Sequence, residues 1–372
     1  MSEKDTKVRW ILQMMGSEEF DTDAYCASES YEGVKANMEC MLEYPVEDSP
    51  EAIAYWKEKG LIKELHDKEN PLMKWASYVP VDTEEGKTYP LMFVLHGQSN
   101  PIYLAEGYGY THIAAREKLI VIIPENESPE MMDKLFRYAE EHYPVDRSRV
   151  YCVGFSLGGW MTTRHGLRNP ERFAAIGVGG MIAAETHADT YWQDENTCWP
   201  SDDFTEETYK HACEVKLPVI ECLGEDDFLH LLPLCEEAPP STDPAQGQTI
   251  STHKQASIDL DAKAKITYVN HLRIVAGCPE IPFEEVKEAV ASSTDEVTVK
   301  LGFPFERTMK VQREGRWDYT GDCVNDEGEC LLRLVGLEKS PHWPSRALAE
   351  MTWEFISCFA RDPETHELIR LS

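Results

Sequence analysis

The stretch of this sequence best suited to covalent chemistry is a serine flanked by glycines. Gly154–Gly158 reads G-F-S-L-G; it follows an apolar run at Val150–Val153, and a segment compatible with a helix comes after it. In a strand–turn–helix of this kind the serine is held in a strained backbone, and glycines avoid collisions with the neighbouring strand and helix. The pattern predicts that Ser156 exposes its hydroxyl and that the N–H of Leu157, at a helix start, can stabilise an oxyanion.

The five-residue pattern alone is weak, because glycine and serine are common. Its flanks strengthen it, since a strand-like run precedes it and a third glycine, Gly159, leads into the helix. A serine hydroxyl is a poor nucleophile at neutral pH and needs a base, together with a third group that orients the base. The rest of the sequence must therefore supply a histidine and a carboxylate at suitable places.

The best-placed histidine is His342. It lies after the apolar run Leu331–Val335 and before a C-terminal helix predicted at about 345–360, and a proline stands on each side of the His342-Trp343 pair. The sequence has 12 histidines, so placement must decide between them. His271 falls within a predicted helix, and three others lie in or near polar connections: His187, His211 and His230. We predict that His342 is the base.

Three consecutive carboxylates compete for the orienting role. Leu217–Leu223 is predicted as a buried strand, and it runs directly through a glycine into Glu225, Asp226 and Asp227. The carboxyl end of a strand is the edge at which α/β sheets build their sites. We favour Asp227, with Asp226 second and Glu225 third. The resulting chain order of Ser, Asp and His is the one expected when the serine lies on such a turn.

A second oxyanion donor is predicted after another buried strand, Leu91–Leu95. The dipeptide His96-Gly97 follows it, at the place where serine hydrolases of this kind position a backbone N–H, here that of Gln98. A simple strand-ending turn is the alternative, because loops commonly carry glycine for conformational reasons. His96 itself is expected to be structural.

Apolar strands alternate with helices along most of the chain. This alternation predicts an α/β fold with a mostly parallel, doubly wound sheet and helices on both faces. The predicted strands are 75–81, 91–95, 119–123, 150–153, 173–178, 217–223 and 331–335.

The predicted domain organisation has an N-terminal arm and one catalytic domain. Residues 1–75 form the arm, with a short strand at Val8–Leu12 and a helix at 50–59 that Ser49 caps. Residues 76–372 form the domain. It contains a long, cap-like insertion at about 228–330, before the last strand, which is too long for a simple loop. The insertion is predicted to hold two helices and a hairpin at 309–319 and to cover the site.

Composition limits the partners that the protein is expected to have. Of 372 residues 42% are hydrophobic, enough for a substantial core, and the formal net charge is −31. Such a surface repels phosphate backbones and anionic membranes, so we expect neither nucleic acid nor a membrane as partner. No apolar run is long enough for a membrane span, and residues 1–20 do not resemble a secretory signal.

The number and spacing of the cysteines indicate the compartment in which the protein is found. The 11 cysteines are scattered singly, which is typical of free thiols in a reducing compartment, and a cytoplasmic location is expected. No CxxC motif is present, so we expect no zinc site. The chemistry described above requires neither a metal nor an organic cofactor.

The sequence resembles the α/β-hydrolases and, within them, the polyhydroxybutyrate depolymerase and feruloyl esterase group of serine esterases. The residues that carry the resemblance are LMFVLHG at 91–97, YPVDRSRVYCVGFSLGGWM at 143–161, NPERFAAI at 169–176, LGEDD at 223–227 and PHWP at 341–344. The resemblance implies the roles of nucleophile for Ser156, acid for Asp227 and base for His342. It also implies the N–H groups of Leu157 and Gln98 as oxyanion donors.

The resemblance implies hydrolysis of small or aromatic carboxylic esters through an acyl-enzyme, with a small-molecule ester as the partner. Two alternatives stay open at this point. A serine peptidase or an acyltransferase would use the same three residues, and a binding protein without activity could share the fold. The sequence does not determine the acyl group, the alcohol or the oligomeric state.

Overall fold

The computed structural model describes residues 3–29, 31, 48–70, 73–97, 102–182, 206–237 and 262–371. By its contacts the chain divides into two compact units. The serine unit comprises Gly33–Gly179 and Pro344–Ser372, and the histidine unit comprises Met1–Glu32 and Gly180–Trp343.

Six strands of the serine unit form one mixed sheet in the order β1-β2-β4-β3-β5-β6. The first two strands pair antiparallel with each other, β2 pairs antiparallel with β4, and the remaining neighbours run parallel. The strands are β1 (Leu61–His66), β2 (Trp75–Pro80), β3 (Tyr89–Leu95), β4 (Ile120–Pro124), β5 (Val145–Phe155) and β6 (Ala175–Gly179). The sheet therefore begins within the segment predicted as an arm.

Every residue of β3 and of β4 is buried. Continuous burial of this kind means that both faces of the sheet are covered at these strands, as their unbroken apolar sequences predict. The helices of the serine unit are α3 (Pro50–Glu58), α4 (Ile102–Glu106), α5 (Tyr110–Glu117), α6 (Pro129–His142), α7 (Leu157–Arg168) and α12 (Arg346–Ile356). Ser49 caps α3, as predicted, by accepting a hydrogen bond from the N–H of Ala52 at 3.2 Å. A short pair of strands at Phe359–Arg361 and Leu368–Arg370 follows α12.

Four strands of the histidine unit pair in the order β7-β10-β9-β8. They are β7 (Val219–Gly224), β8 (Arg307–Arg313), β9 (Arg316–Val324) and β10 (Cys330–Leu337). Strands β7 and β10 run parallel, whereas β9 is antiparallel to both of its neighbours. The hairpin predicted at 309–319 is therefore present as β8 and β9, and it extends the sheet beyond β10.

Helices occupy most of the remaining described part of the histidine unit. They are α1 (Glu3–Met15), α2 (Thr22–Cys26), α8 (Glu206–Val215), α9 (Ala262–Val275), α10 (Phe283–Ser292) and α11 (Glu296–Leu301). In the described ranges, no helix combines the length and the apolarity that crossing a membrane would need.

The strand predicted at Val8–Leu12 is wrong, because these residues belong to α1. Val8 and Leu12 are buried, whereas Trp10 between them is 58% exposed. Residues four apart share one face of a helix, so the short apolar run serves a helix with one buried face. Five residues are too few to distinguish the helical period of 3.6 residues from the strand period of two.

Candidate active site

The predicted serine turn is present in the serine unit between β5 and α7. Ser156 has a φ of 57° and a ψ of −122°, an uncommon conformation for a residue with a side chain. Its N–H donates to the carbonyl of Gly179 at 2.7 Å, and its own carbonyl accepts from the N–H of Trp160 at 3.0 Å. The strain is thus held by main-chain hydrogen bonds on both sides, a combination that clusters at functional sites.

The glycines around Ser156 are required by close backbone contacts. A Cβ at Gly158 would lie 2.5 Å from the carbonyl oxygen of His96, and a Cβ at Gly154 would lie 2.7 Å from the hydroxyl of Thr162. At Gly159 the nearest atom would be the carbonyl oxygen of Gly179, at 2.9 Å. Side chains at these positions would push the strand and the helix apart, which explains the spacing seen in the sequence.

The order of strands in the serine unit, with the strained serine directly after β5, decides the fold. This is an α/β-hydrolase fold, as the sequence predicted. Leu157 is the first residue of α7, and the first N–H groups of a helix have no partner within the helix. The N–H of Leu157 is therefore in a chemically suitable place to meet a negative charge.

The loop after β3 is held by a buried histidine. The two ring nitrogens of His96 contact the carbonyl oxygens of Gly97 at 2.8 Å and Glu125 at 2.9 Å. The His96 N–H donates to a carboxylate oxygen of Glu127 at 2.5 Å, and the N–H of Gly97 donates to the Tyr108 hydroxyl at 2.9 Å. His96 thus has a structural place, as expected. Gln98, predicted to supply the second oxyanion donor, lies outside the described residues.

Electrostatics support a charged His96 ring. Burial disfavours the charge, but Glu127 and the two carbonyl contacts outweigh burial and raise the pKa of His96. Burial raises the pKa of Glu127 to about 7, and the nearby His96 opposes that rise. Because a ring that donates to two carbonyl oxygens must carry both protons, we assign His96 as the imidazolium. The sequence analysis missed Glu127, although its position just beyond β4, the parallel neighbour of β3, was a usable signal.

The histidine unit brings the other two predicted side chains together. Nδ1 of His342 donates to Oδ2 of Asp227 at 2.6 Å, and both side chains are buried. The other carboxylate oxygen, Oδ1, accepts from the N–H of Leu229 at 2.8 Å. With Nδ1 protonated, the lone pair of a neutral His342 ring lies on Nε2, the arrangement that a general base needs.

The two competing carboxylates have other contacts. Glu225 forms an ion pair with Lys300, and its Oε2 accepts from the N–H of Lys339 at 3.1 Å. Asp226 is half-buried, and burial together with neighbouring acids raises the pKa of its carboxyl group. Among the described residues it is the Asp227 carboxylate that meets the His342 ring.

The chain bearing His342 is fixed by its neighbours. Arg316, on β9, donates to the Ser340 hydroxyl at 3.0 Å, and the carbonyl of Ser340 accepts from the N–H of Asp226 at 3.0 Å. The ring of Phe228 packs edge-on against the His342 ring, with the centroids 5.0 Å apart. These contacts support the imidazole in the orientation that its hydrogen bond to Asp227 requires.

A buried carboxyl lies on the strand that leads to Asp227. Glu221, on β7, accepts from the Tyr268 hydroxyl at 2.8 Å through Oε2, while Oε1 has no hydrogen-bond partner among the described residues. Burial raises the pKa of Glu221 to about 8, and the contact with Tyr268 opposes that rise. In the described ranges, no cluster of three or more His, Cys, Asp or Glu side chains could hold a metal ion.

No protein-family model matches the chain, and no curated protein matches it in sequence. Solved structures that are similar include the Staphylococcus aureus fluorophosphonate-binding serine hydrolase FphF, which is 18% identical with a TM-score of 0.37. This match covers 46% of this chain and 81% of FphF.

Two further similar structures have related descriptions. An S-formylglutathione hydrolase from Agrobacterium tumefaciens is 19% identical with a TM-score of 0.34, covering 44% of this chain and 76% of that chain. A ferulic acid esterase is 18% identical with a TM-score of 0.33, covering 45% of this chain and 80% of that chain. At such TM-scores these similarities carry no function to this chain, so its function has to be argued from its own residues.

Proposed function

We propose that this protein is a serine hydrolase that cleaves small carboxylic esters through an acyl-enzyme. The observation that carries the proposal is the backbone of Ser156, a residue with a side chain held at φ 57° and ψ −122° at the head of α7. Such strain costs roughly 1–3 kcal/mol and persists where function requires it. A serine in this conformation presents its hydroxyl beyond the turn.

In the proposed reaction the Asp227–His342 pair acts on Ser156. Asp227 holds Nδ1–H of His342, and Nε2 removes the proton from the Ser156 hydroxyl as its oxygen attacks the ester carbonyl. The tetrahedral oxyanion is stabilised by the N–H of Leu157 and, in our proposal, by that of Gln98. The support is the ordered placement of the three side chains in the sequence and the buried 2.6 Å hydrogen bond.

The second half of the reaction reverses the same proton transfers. The imidazolium of His342 gives its proton to the departing alcohol, which leaves an acyl group on Ser156. Water then attacks this acyl group while His342 again accepts a proton, and His342 returns this proton to the Ser156 oxygen as the acid is released. No metal or organic cofactor is required for these steps, and a small ester in the cytoplasm is the proposed substrate.

The proposal is tested by Ser156→Ala, assayed with short p-nitrophenyl esters. Because the three residues act as a unit, we expect turnover to fall by about 10³-fold or more. Ser292→Ala is the matched control, since Ser292 is exposed at the end of α10 and its hydroxyl donates to main-chain carbonyls of that helix. Equal rates for Ser156→Ala and the wild type would overturn the proposal.

A fluorophosphonate probe and a substrate panel separate the alternatives. The probe reacts only with an activated serine, so labelling at Ser156 would argue against a binding protein without activity. Comparing esters, peptides and acyl acceptors would then separate an esterase from a peptidase or an acyltransferase. Faster turnover of peptides than of any ester would replace our assignment with the peptidase.

A further inference from the structure

The chain that runs from the last residue of α1 toward α2 contacts both of the loops that carry the acid–base pair. The acid loop is residues 224–230, after β7, and the base loop is residues 338–343, after β10. Met15, Gly16 and Ser17, here called the N-terminal clamp, are consecutive residues of the same histidine unit.

Each residue of the clamp makes a main-chain contact with one of these loops. The carbonyl of Met15 accepts from the N–H of His342 at 2.7 Å. The N–H of Ser17 donates to the carbonyl of Asp226 at 2.6 Å, and Gly16 forms an antiparallel bridge with Asp227. One short segment is thus hydrogen-bonded to the base loop at His342 itself and to the acid loop at Asp226, the residue before Asp227.

The clamp acts at the residues where the geometry of the pair is set. The 2.6 Å bond between His342 and Asp227 depends on the distance between two loops that follow different strands. The loops are also joined by the hydrogen bond from Asp226 to Ser340. The N–H of Lys339 also donates to Glu225, at 3.1 Å. The clamp adds a further connection, at the main chain of His342.

The clamp is anchored by packing on both of its sides. Val8 and Leu12 bury one face of α1, which ends at Met15. On the other side, the ring of Phe20 packs against Gly16 so closely that a Cβ on Gly16 would lie 2.6 Å from the Cβ of Phe20. Gly16 is itself buried. A side chain at this position therefore has to displace either Phe20 or the clamp.

We propose that the N-terminal clamp is a positioning element for the Asp227–His342 pair, an inference that rests on the proposed function. It carries no group that reacts. Its main-chain bonds keep the imidazole in register with the carboxylate, so that Nε2 is presented in one orientation. A displacement of about 1 Å at a distance from the reacting atoms is enough to lower turnover by roughly 100-fold.

The test is Gly16→Ala in the full chain, with Gly16→Ala/Phe20→Ala as the rescue variant and Phe20→Ala as the matched control. We expect Gly16→Ala to lower kcat for a p-nitrophenyl ester by about 10- to 100-fold, with KM changed much less. Rates are expressed per folded protein, with the Tm of each variant measured alongside, because fluorophosphonate labelling itself depends on the activation of the serine. Removing the Phe20 side chain should restore most of the lost kcat in the double variant.

A second readout does not depend on turnover. The proton on Nδ1 of His342, in a short hydrogen bond to Asp227, should give a downfield NMR signal. The loss of this signal in Asp227→Asn assigns it to that proton. We expect Gly16→Ala to shift or broaden it and the rescue variant to restore it. An unchanged signal in Gly16→Ala would overturn the clamp even if the protein hydrolyses no ester, whereas inactive wild type with a responsive signal would overturn only the proposed function.

Discussion

The nucleophile region and the acid–base region of this protein are built in opposite ways. Ser156 is positioned by a contiguous stretch, in which β5, the turn and α7 follow each other within residues 145–168. Asp227 and His342 are positioned by three segments far apart in the sequence, namely the acid loop, the base loop and the N-terminal clamp. The first region depends on the absence of side chains at its glycines. The second depends on individual hydrogen bonds, so the two should fail in different ways.

The largest effect is expected in the acid–base region, from Asp227→Asn. The N–H of Leu229 requires an acceptor, so the Asn oxygen should face Leu229 and its NH₂ group should face Nδ1 of His342. This forces the proton onto Nε2, the nitrogen that must accept the proton of Ser156. By analogy with the known behaviour of such triads, kcat should fall by about 10⁴-fold with little change in KM.

Asp226→Asn is the matched control for this change. In the part of the chain that the structure describes, the His342 ring is bonded to Asp227, and the main-chain bonds of Asp226 to Ser17 and Ser340 are unaffected by the substitution. Kinetics with a p-nitrophenyl ester should therefore show a loss of less than about tenfold. A larger loss in Asp226→Asn than in Asp227→Asn would reverse the assignment of the acid.

The nucleophile region should instead fail when a single methyl group is added. In Gly158→Ala the new Cβ would meet the backbone oxygen of His96 at 2.5 Å, so main-chain atoms have to shift. Overpacking of this kind typically costs about 1–3 kcal/mol, and here the displaced atoms lie beside Ser156. We expect at least about 100-fold lower kcat, together with a lower Tm.

Gly159→Ala provides a graded comparison, because its closest contact would be 2.9 Å. It should lower Tm and kcat less than Gly158→Ala does. Thermal unfolding and fluorophosphonate labelling of both variants test this order. If the two glycine variants are equally active, close packing is not what holds Ser156 in place.

The same contrast explains what the sequence could predict. The turn around Ser156 could be predicted because strand, glycines and helix are adjacent in the sequence. The burial of the preceding strand could be predicted from its apolar run. His342 and Asp227 could be selected by their places after strands, since the fold brings the carboxyl ends of parallel strands to one edge. Their hydrogen bond could not be derived, because it depends on the conformations of two loops.

No pattern in the sequence predicts the contacts of the N-terminal clamp. Its bridge joins Gly16 to Asp227, residues more than 200 positions apart, and all of its contacts use main-chain atoms that every residue possesses. The preceding apolar run, at Val8–Leu12, also suggested a strand rather than α1. Without a local pattern, only tertiary structure reveals such a contact. Gln98, predicted as the second oxyanion donor, stays a prediction.

Strand β7, which leads into the acid loop, carries a buried carboxyl group that should make the free energy of unfolding depend on pH. Because the pKa of Glu221 is raised from 4.5 to about 8 in the folded protein, the folded state binds this proton more tightly than the unfolded state. The resulting stabilisation is complete below about pH 4.5 and is lost as the pH rises through about 8. Glu221→Gln removes the titration, so its free energy of unfolding should depend less steeply on pH across this window.

Urea unfolding at a series of pH values measures this difference. The wild type should lose more stability than Glu221→Gln between pH 5 and pH 9, by an amount on the order of a few kcal/mol. The exposed Glu364→Gln serves as control and should keep the slope of the wild type, since its side chain lies at the surface. Parallel curves for the wild type and Glu221→Gln would contradict the assignment of a buried, protonated carboxyl.

The smallest effect is expected from Phe228→Leu. The Phe228 ring meets the His342 ring edge-on at 5.0 Å, a contact that typically contributes about 0.5–1.5 kcal/mol beyond the area it buries. Leucine keeps an apolar side chain but removes the aromatic edge, so the imidazole should be held less firmly while its bond to Asp227 stays. We expect kcat to fall by about 2- to 10-fold and Tm to change little. Such a small loss, compared with the large loss in Asp227→Asn, would show that hydrogen bonding rather than ring packing positions the acid–base pair. A Phe228→Leu variant as inactive as Asp227→Asn would show that ring packing positions it.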